Sequence, residues 1–488
     1  MRIFRLIVLI VIILSFFSIS LTSSLSNFDG FSQNILLSTS DTPYPHHVEP
    51  TLAVSENGTL FAGWKNAYTD NGGGVRVSFS KSVDNGVTWS TPFDMPLFNS
   101  SITTGQSDPW MVWFNKTIYY AYLEFDLNDP FVYLNRSQIT LAQSTDYGAT
   151  WTLSKASNNT YFADKETMTI ASDGTIYIAY DDTTLADSLT KDVRLSVSTD
   201  GGYSFNDTLV INDVDGVYDQ GSPYLMTNRN DDLFVTWIKF PSDQYQENYI
   251  VFDKLSNGTF GKDQNMTSES LMIKFSPPSL KIDSKGRLYL LWSDSSNSLG
   301  DLDVYIRWSD DNGESWHEKM RVNPDTSGGH QWMPDMAIDK NDNLHIVYYD
   351  EQGDSFKSVF QFINTNSNQM TVYNPLDIAS VPTSSSFVRP GDYFTVQVDS
   401  NLITHVIWSD GRNNEMDIYY SHCACVDFIE STSSTTTATS STTPSSTTTF
   451  TITTTSESSN PATTDVNPLI IYFSLVILTI VYREKRSK

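Results

Sequence analysis

The stretch Ser82-Val83-Asp84-Asn85-Gly86-Val87-Thr88-Trp89 decides the fold, because the chain repeats its pattern. Three further copies have Ser, Asp, Gly, Ser or Thr, and an aromatic residue in the same register: Ser144 to Trp151, Ser198 to Phe205 and Ser309 to Trp316. The physical reason for the pattern is local. An aspartate carboxylate bonds turn amides, glycine permits a positive φ, and we expect the aromatic ring to pack back onto its own sheet. The pattern therefore predicts the same tight turn four times.

Each turn belongs to a longer unit of about 57 residues, and seven such units follow one another. A unit contains two apolar runs joined by an Asp/Asn/Gly turn, a third run, the turn described above, and a fourth run. Four short antiparallel strands per repeat are typical of a propeller blade. We therefore predict an all-β fold, a seven-bladed β-propeller. The last unit lacks a fourth strand after Ile418-Tyr419-Tyr420, and we expect the strand around Ile35-Leu36-Leu37 to complete it.

With these motifs the chain resembles the BNR, or Asp-box, sialidase-like propellers, and the resemblance covers nearly all of the folded region. It implies a fold and not an activity. It also implies a structural role for the turn residues, namely Asp84, Trp89, Asp146, Trp151, Asp200, Phe205, Asp311 and Trp316.

Both ends of the chain indicate export. Residues 1–26 read as a signal peptide, with two arginines before a short apolar run. Residues 27–428 form the propeller, 429–466 a Ser/Thr-rich stalk, 467–482 an apolar transmembrane helix, and 483–488 a basic cytoplasmic tail. The apolar segment is short, so a processed sorting tail is the alternative. We predict a single-pass protein of the cell membrane with its propeller outside.

The net charge and the cysteine content of the chain limit which binding partners and which kinds of fold we expect. The net charge of −27 argues against nucleic acid. Cys423 and Cys425 are the only cysteines, so no disulfide framework builds the fold, and the pair is either a local disulfide or two free thiols. We expect an extracellular glycan or protein as partner, besides the membrane that the C-terminal helix enters.

One face of a propeller carries the inter-blade links, and ligands generally bind there, near the axis. Corresponding residues near the start of each inner strand are Glu49, Asp108, Lys165, Ser222, Pro277, Met333 and Tyr393. A second set follows each second strand: Asn66, Glu124, Asp182, Lys239, Asp294, Asp350 and Asp410. The acids of the second set suit Ca²⁺ or a cationic ligand, or else cap a turn in every blade.

Residues that break the repeat are the better candidates for a unique site. The predicted ligand-face residues are His46, Trp110, Lys165, Asp182, Asp294, His330, Trp332, Asp350, Asp410 and Arg412, and His47, Glu166 and Gln331 also break the pattern. Candidate catalytic residues are Glu49, Asp108, Glu166 and Tyr393, because paired carboxylates can act as acid and base.

Sialidases of the resembling family hold the substrate carboxylate with three arginines. Here Arg76, Arg194 and Arg307 fall on predicted third strands, away from the axis, and the family's opening aromatic-Arg-Ile-Pro motif is replaced by residues 44–50. The family's enzymes usually have six blades, whereas seven units are present here. We therefore expect recognition of an extracellular glycan or protein. The alternatives are a sialidase-like glycoside hydrolase or lyase, and a surface-layer scaffold.

Overall fold

The computed structural model describes 17 segments of the chain, and the statements below concern these alone: 30–38, 43–69, 73–98, 104–127, 137–157, 162–183, 191–213, 218–241, 248–256, 258–267, 276–296, 300–324, 328–365, 370–379, 382–384, 390–425 and 436–437. The predicted signal peptide, transmembrane helix and cytoplasmic tail lie outside them, as does nearly all of the stalk.

Seven antiparallel sheets follow one another and are numbered here as blades 1 to 7. The strands of blades 1 to 3, from inner to outer, are β2 (His46–Val54), β3 (Leu60–Ala67), β4 (Gly74–Ser82) and β5 (Phe93–Asp94); β6 (Thr104–Phe114), β7 (Thr117–Asp126), β8 (Gln138–Ser144) and β9 (Thr152–Lys155); and β10 (Phe162–Ile170), β11 (Ile176–Thr183), β12 (Asp192–Ser198) and β13 (Asn206–Val210). Those of blades 4 and 5 are β14 (Tyr218–Thr227), β15 (Leu233–Pro241), β16 (Tyr249–Ser256), β17 (Thr259–Phe260) and β18 (Gln264–Asn265); and β19 (Ser279–Ile282), β20 (Leu288–Asp294), β21 (Asp303–Ser309) and β22 (Met320–Arg321).

Blades 6 and 7 depart from the simple meander at their outer edges. Their strands are β23 (His330–Ile338), β24 (Leu344–Gln352), β25 (Ser355–Asn364) and the short β26 (Thr371–Val372), β27 (Leu376–Asp377) and β28 (Thr383–Ser384); and β29 (Thr395–Val398), β30 (Thr404–Asp410), β31 (Asp417–Cys423) and the N-terminal β1 (Ile35–Leu36). A further pair of residues from the predicted stalk, β32 (Thr436–Thr437), pairs with β26.

The blades close into a ring. Each innermost strand packs against the innermost strand of the next blade, and β29 of blade 7 packs against β2 of blade 1. The N-terminal strand completes blade 7, with Ile35 opposite Tyr420 and Leu36 opposite Tyr419. The prediction of seven blades, closed by the strand around Ile35, is confirmed. Closure matters because it pairs a sheet edge that would otherwise be free.

The core lies between neighbouring blades, and the second strands contribute most to it. Trp64, Trp237, Trp292 and Trp408 occupy equivalent positions on β3, β15, β20 and β30, and all four side chains are fully buried. A second strand has a hydrogen-bonded neighbour on each side and a blade against each face, so large apolar side chains are favoured along its whole length.

The repeated turns form as their residue pattern predicts. In the first, Asp84 Oδ1 accepts a hydrogen bond from the Thr88 amide at 2.9 Å, and Ser82 Oγ accepts one from the Gly86 amide at 2.8 Å. Equivalent bonds recur at Asp146, Asp200 and Asp311.

The aromatic residue of the turn packs onto the preceding blade as well as onto its own sheet, and Trp151 shows both contacts, 6.3 Å from Tyr120 of its own blade and 5.1 Å from Phe79 of blade 1. The Trp89 ring lies 5.0 Å from that of Tyr420 in blade 7, and Trp316 lies 5.0 Å from Phe252 in blade 4. The turns therefore also join neighbouring blades.

Cys423 and Cys425 form a disulfide at the end of β31, with Cα atoms 5.0 Å apart. No helix in the described segments is long and apolar enough to cross a bilayer.

Candidate functional site

The inner strands of five blades share a β-bulge near the end that carries the inter-blade links. At each bulge two residues face one residue of the second strand, as Glu49 and Pro50 face Trp64 between the paired positions Val48 and Thr51. The first bulged residue has a left-handed backbone in all five: Glu49 (φ 57°), Asp108 (φ 51°), Lys165 (φ 54°), Ser222 (φ 55°) and Met333 (φ 55°). These residues lie inside the strands and not, as predicted, where the strands begin.

This conformation normally favours glycine, and it costs another residue roughly 1–2 kcal/mol. The five positions hold five different side chains, so the backbone is kept while the chemistry changes. The second bulged residue is proline in blades 1, 2, 4 and 6. In blade 3 it is Glu166, which places an additional carboxyl group beside the axis.

Ion pairs join these positions to their neighbours. Lys65 Nζ, from the second strand of blade 1, lies 2.5 Å from Glu49 Oε1. Lys165 of blade 3 pairs with Asp392 of blade 7. Because blades 3 and 7 are separated by two others, this pair spans the axis of the ring.

Blade 3 adds a second group of charges. Lys191 Nζ lies 2.9 Å from Asp181 Oδ2 and 3.8 Å from Asp164 Oδ2. The side chains of Lys191, Asp164 and Lys165 are 33%, 21% and 16% exposed, so they form the accessible edge of the cluster. We call Glu49, Lys65, Asp108, Asp164, Lys165, Glu166, Lys191, Asp392 and Tyr393 the axial cluster.

Several buried oxygen atoms of the axial cluster have no hydrogen-bond partner among the described residues. They are Oε2 of Glu49, both carboxyl oxygens of Glu166, and Oη of Tyr393. Glu166 is 0% exposed, Glu49 2% and Tyr393 5%. A buried polar atom without a partner costs free energy, so these atoms indicate a site that a ligand or water completes.

The carboxyl groups differ widely in acidity. Burial raises the pKa of Glu49 to about 8. The charge of Lys65 lowers this pKa, and the charge of Asp108 raises it further. Burial alone would raise the pKa of Asp108 too, but Lys65 and Lys165 hold it below its ordinary value. Burial and the nearby Asp108 carboxylate raise the pKa of Glu166 well above its ordinary value. The cluster therefore holds protonated and ionised carboxyl groups side by side at neutral pH.

Tyr393 also takes part in this electrostatic environment. Burial, followed by the charges of Asp108 and Glu49, raises its pKa well above 10. The phenol therefore stays protonated and is able to donate a hydrogen bond.

At the axis, next to the axial cluster, one aromatic ring contacts two others. The ring of Trp110, from blade 2, lies 5.9 Å from that of Tyr393 in blade 7 and 5.3 Å from that of Tyr224 in blade 4. Its Nε1 donates to the Met168 carbonyl of blade 3 at 3.1 Å. Side chains of three blades and a backbone carbonyl of a fourth thus meet on the axis. A cavity of about 40 Å³, lined in part by Lys281 and Asp335, adjoins them.

The second set of predicted positions has a structural role in three blades. Asn66, Asp294 and Asp410 each accept a hydrogen bond from the indole of the tryptophan two residues earlier, at 3.0, 2.7 and 3.0 Å. Asp182 Oδ2 lies 3.0 Å from Arg194 Nε. Nowhere in the described segments do three or more His, Cys, Asp or Glu side chains form a group able to hold a metal ion. Asp294, Asp410 and Asp182 are thus engaged separately, and these contacts favour the structural role over the alternative of an acidic ring for Ca²⁺.

Three predicted ligand-face residues, and His47, which also breaks the repeat, have other surroundings. Trp332 is only 3% exposed and packs on Tyr349 at 5.0 Å, so it belongs to the core and the prediction was wrong. His46 Nδ1 accepts from the Met416 amide at 3.2 Å and His330 Nδ1 from the Leu302 amide at 3.1 Å. Both histidines connect neighbouring blades. His47, by contrast, is buried against Asn66 at 2.8 Å.

Arg412 was expected at the ligand face, but it serves blade 7 itself. Its Nη2 lies 2.5 Å from Asp410 Oδ2, its Nη1 donates to Asn34 Oδ1 at 3.0 Å, and the guanidinium stacks 4.2 Å above the Tyr419 ring. The third-strand arginines are engaged as well, since Arg307 Nη1 donates to the Met266 carbonyl at 2.8 Å. Within the described segments no three arginines converge.

Sequence reasoning missed Lys65, Asp164, Lys191 and Asp392. Lys65 follows the buried Trp64 on a strand assigned to the core, and Asp392 directly precedes Tyr393. The available signal was charge inside otherwise apolar strands, which is unfavourable unless the charges are paired.

No protein-family model matches this chain, and no curated protein matches it either. Solved structures do. An ulvan lyase from a polysaccharide lyase family matches with a TM-score of 0.50 and 11% identity, over 79% of this chain and 97% of the lyase. A Trypanosoma rangeli sialidase matches with a TM-score of 0.45 and 14% identity, over 67% of this chain and 56% of the sialidase.

The α-L-arabinofuranosidase Arb93A of Fusarium graminearum matches with a TM-score of 0.45 and 13% identity, over 82% of this chain and 99% of that enzyme. At these identities a structural match speaks only for the fold. The chain is similar to the ulvan lyase in its propeller architecture.

Proposed function

We propose that this protein is a cell-surface propeller that binds an extracellular glycan at the axial cluster. The observation that carries the proposal is the set of buried, unpartnered oxygens of Glu49, Glu166 and Tyr393 on the axis. Sugar hydroxyl groups donate and accept hydrogen bonds, so they complement such a set.

The accessible edge of the cluster supports the same proposal. Lys165, Asp164 and Lys191 are partly exposed and present charged donors and acceptors side by side. The Trp110 ring adjoins Tyr393 and offers an apolar surface of the kind that packs against sugar rings. We further propose that this face lies outside the cell on a membrane-anchored chain, which is supported by the predicted amino-terminal signal, the Ser/Thr-rich stalk and the apolar segment near the carboxyl terminus.

The test uses the purified full-length chain on a panel of immobilised glycans. We expect binding that Lys165→Met and Tyr393→Phe each weaken about tenfold, because each removes a polar group of the cluster. Lys285→Met is the matched control, since Lys285 lies in a turn at the other end of blade 5, is 65% exposed and pairs with Asp342 of blade 6. Binding that survives both cluster variants, or no binding at all, overturns the proposal and favours a protein partner or a scaffold.

A second candidate function is glycan cleavage, by hydrolysis or elimination. The specific observation in its favour is the separation of carboxyl pKa values, because protonated Glu49 and Glu166 lie near ionised Asp108. Acid–base catalysis on glycosides requires a carboxylic acid with a raised pKa beside a carboxylate base with a low pKa.

Cleavage is measured as new reducing ends, with ultraviolet absorbance of an unsaturated product distinguishing elimination from hydrolysis. Asp108→Asn is expected to abolish it while the folded state is retained. Binding without any product assigns the site to recognition alone.

A further inference from the structure

A second cavity, lined by both polar and apolar side chains, lies at blade 6, apart from the axial cluster. Its volume is about 360 Å³, within the range of small-molecule sites. Its polar lining residues include Asn323, Gln331, Asp350, Gln352 and Asp377. Gln331 is the second residue of the inner strand, and Gln352 ends the second strand. The cavity therefore opens at the same end of the blade as the bulge at Met333.

Asp350 holds the repeated position that serves a structural role elsewhere. In blades 1, 5 and 7 the equivalent residue accepts a hydrogen bond from a tryptophan indole two residues earlier. Blade 6 has Tyr348 in place of that tryptophan, and the Tyr348 hydroxyl donates to Gln361 Oε1 at 3.1 Å. Asp350 is thereby released from the role that its counterparts perform.

Side-chain amides fix the orientation of Asp350. Asp350 Oδ1 accepts from Gln331 Nε2 at 2.7 Å and from Gln352 Nε2 at 3.0 Å. Gln331 is itself held by Asn323, whose Nδ2 donates to Gln331 Oε1 at 2.9 Å. Gln331 is 1% exposed, so the arrangement is rigid on its inner side. Asp350 Oδ2 accepts no hydrogen bond from a described residue.

The charges around the cavity select the ligand. Asp350 and Asp377 both line it, and Lys357, which lies 2.9 Å from Asp377 Oδ2, is already paired. The described residues that line the cavity include no lysine or arginine, so an anionic sugar would face the Asp350 carboxylate without an attracting cation, which is unfavourable. A neutral sugar can donate hydroxyl groups to Asp350 Oδ2 and accept from an amide.

We propose that this cavity is a second subsite for a neutral sugar unit of the same glycan that the axial cluster binds. The inference rests on the proposed function, because it treats the two places as parts of one binding surface. It implies a neutral oligosaccharide that runs from the axis outward over blade 6, and not a single terminal sugar.

Isothermal titration of the full-length protein with neutral cello-, manno- and xylo-oligosaccharides of two to six units tests the proposal. We expect Asp350→Asn and Gln352→Ala each to weaken binding of the six-unit ligand roughly fivefold to tenfold and to leave the two-unit ligand unchanged. Asp173→Asn, in an exposed turn of blade 3, is the control and should change neither affinity. Thermal unfolding of each variant shows whether it folds. Because Gln352 is exposed, Gln352→Ala should disturb the fold less than Asp350→Asn.

The outcomes separate this inference from the proposed function. If Lys165→Met weakens binding and both blade 6 variants do not, the second subsite is overturned and the axial site stands. If the blade 6 variants weaken binding of every length and Lys165→Met does not, the cavity is an independent sugar site and the axial proposal fails. If the wild-type protein binds none of the three neutral series, the second subsite is overturned.

Discussion

The repeated turns and the axial bulges follow opposite rules. At the turns Asp84, Asp146, Asp200 and Asp311 keep the same side chain and make the same hydrogen bonds to a Ser or Thr four residues later. At the bulges five residues share a φ between 51° and 57°, yet no two of them are the same amino acid. The turns conserve a side chain, whereas the bulges conserve only a backbone conformation.

The difference shows how a repeat protein separates structure from function. A turn aspartate is needed in each copy because the hydrogen bonds that it makes are local. A bulge needs no particular side chain, and glycine would be easier to accommodate there. Charged residues in the left-handed conformation are therefore best explained by the site that they build together.

The largest expected effect is on the pH dependence of stability, which should have opposite signs in the two regions. Glu49 titrates near 4.5 when unfolded and at about 8 when folded. The folded state thus binds more protons between these values, and its stability is full below pH 4.5 and lost as the pH rises through 8. We expect the free energy of unfolding to fall by up to roughly 1.4 kcal/mol per pH unit in this window.

Chemical denaturation at pH 5, 6, 7 and 8 measures this slope, and Glu49→Gln should reduce it. The turn variant Asp146→Asn is the contrasting control, which should leave the slope between pH 5 and 8 unchanged and reduce the opposite slope measured between pH 2 and 4. Hydrogen bonds from Thr150 lower the pKa of Asp146 to about 2, so its contribution is present above 3.8 and disappears as the pH falls through 2. An unchanged slope in Glu49→Gln would contradict the assignment of a raised pKa.

The next effect concerns the packing of the turns. Gly313 has φ 82°, and a Cβ there would lie 2.4 Å from Phe252 of the preceding blade. We expect Gly313→Ala to cost about 3 kcal/mol, from backbone strain together with overpacking. Gly174 has φ 91° with no atom within 4 Å of an added Cβ, so Gly174→Ala should cost only about 1 kcal/mol. Equal losses in urea denaturation would show that the turn does not join blades.

The smallest expected effect is the absence of one activity. The protein should release no sialic acid from an aryl sialoside above a control without enzyme, because Arg307 is committed to the Met266 carbonyl of the neighbouring blade and Arg412 to Asp410 of its own blade. A carboxylate clamp needs bidentate arginines that are free to meet the substrate. Turnover that Tyr393→Phe abolishes would refute this and would favour catalysis over recognition.

Much of the fold could be predicted because its signals are local. Turn chemistry at Asp84 and strand alternation repeat along the chain, and counting the repeats gives the blade number. The site was predicted only in part. Glu49, Asp108, Glu166 and Tyr393 were identified by their positions, whereas Lys65 and Asp392 were missed because their partners are distant in sequence or on another strand.

The sequence by itself determined the seven repeated units and their turns, since each depends on residues close together in the chain. The missing outer strand of the last unit also indicated that the strand around Ile35 closes the ring, although its partner Tyr420 is distant in sequence. Only the tertiary structure decided which side chains meet. Lys165 and Asp392 pair across the axis although 227 positions separate them, because ring closure brings blades 3 and 7 to the same centre. The packing of blades likewise made Trp332 a core residue and left Asp350 beside a cavity. Both outcomes depend on neighbours that no local pattern specifies.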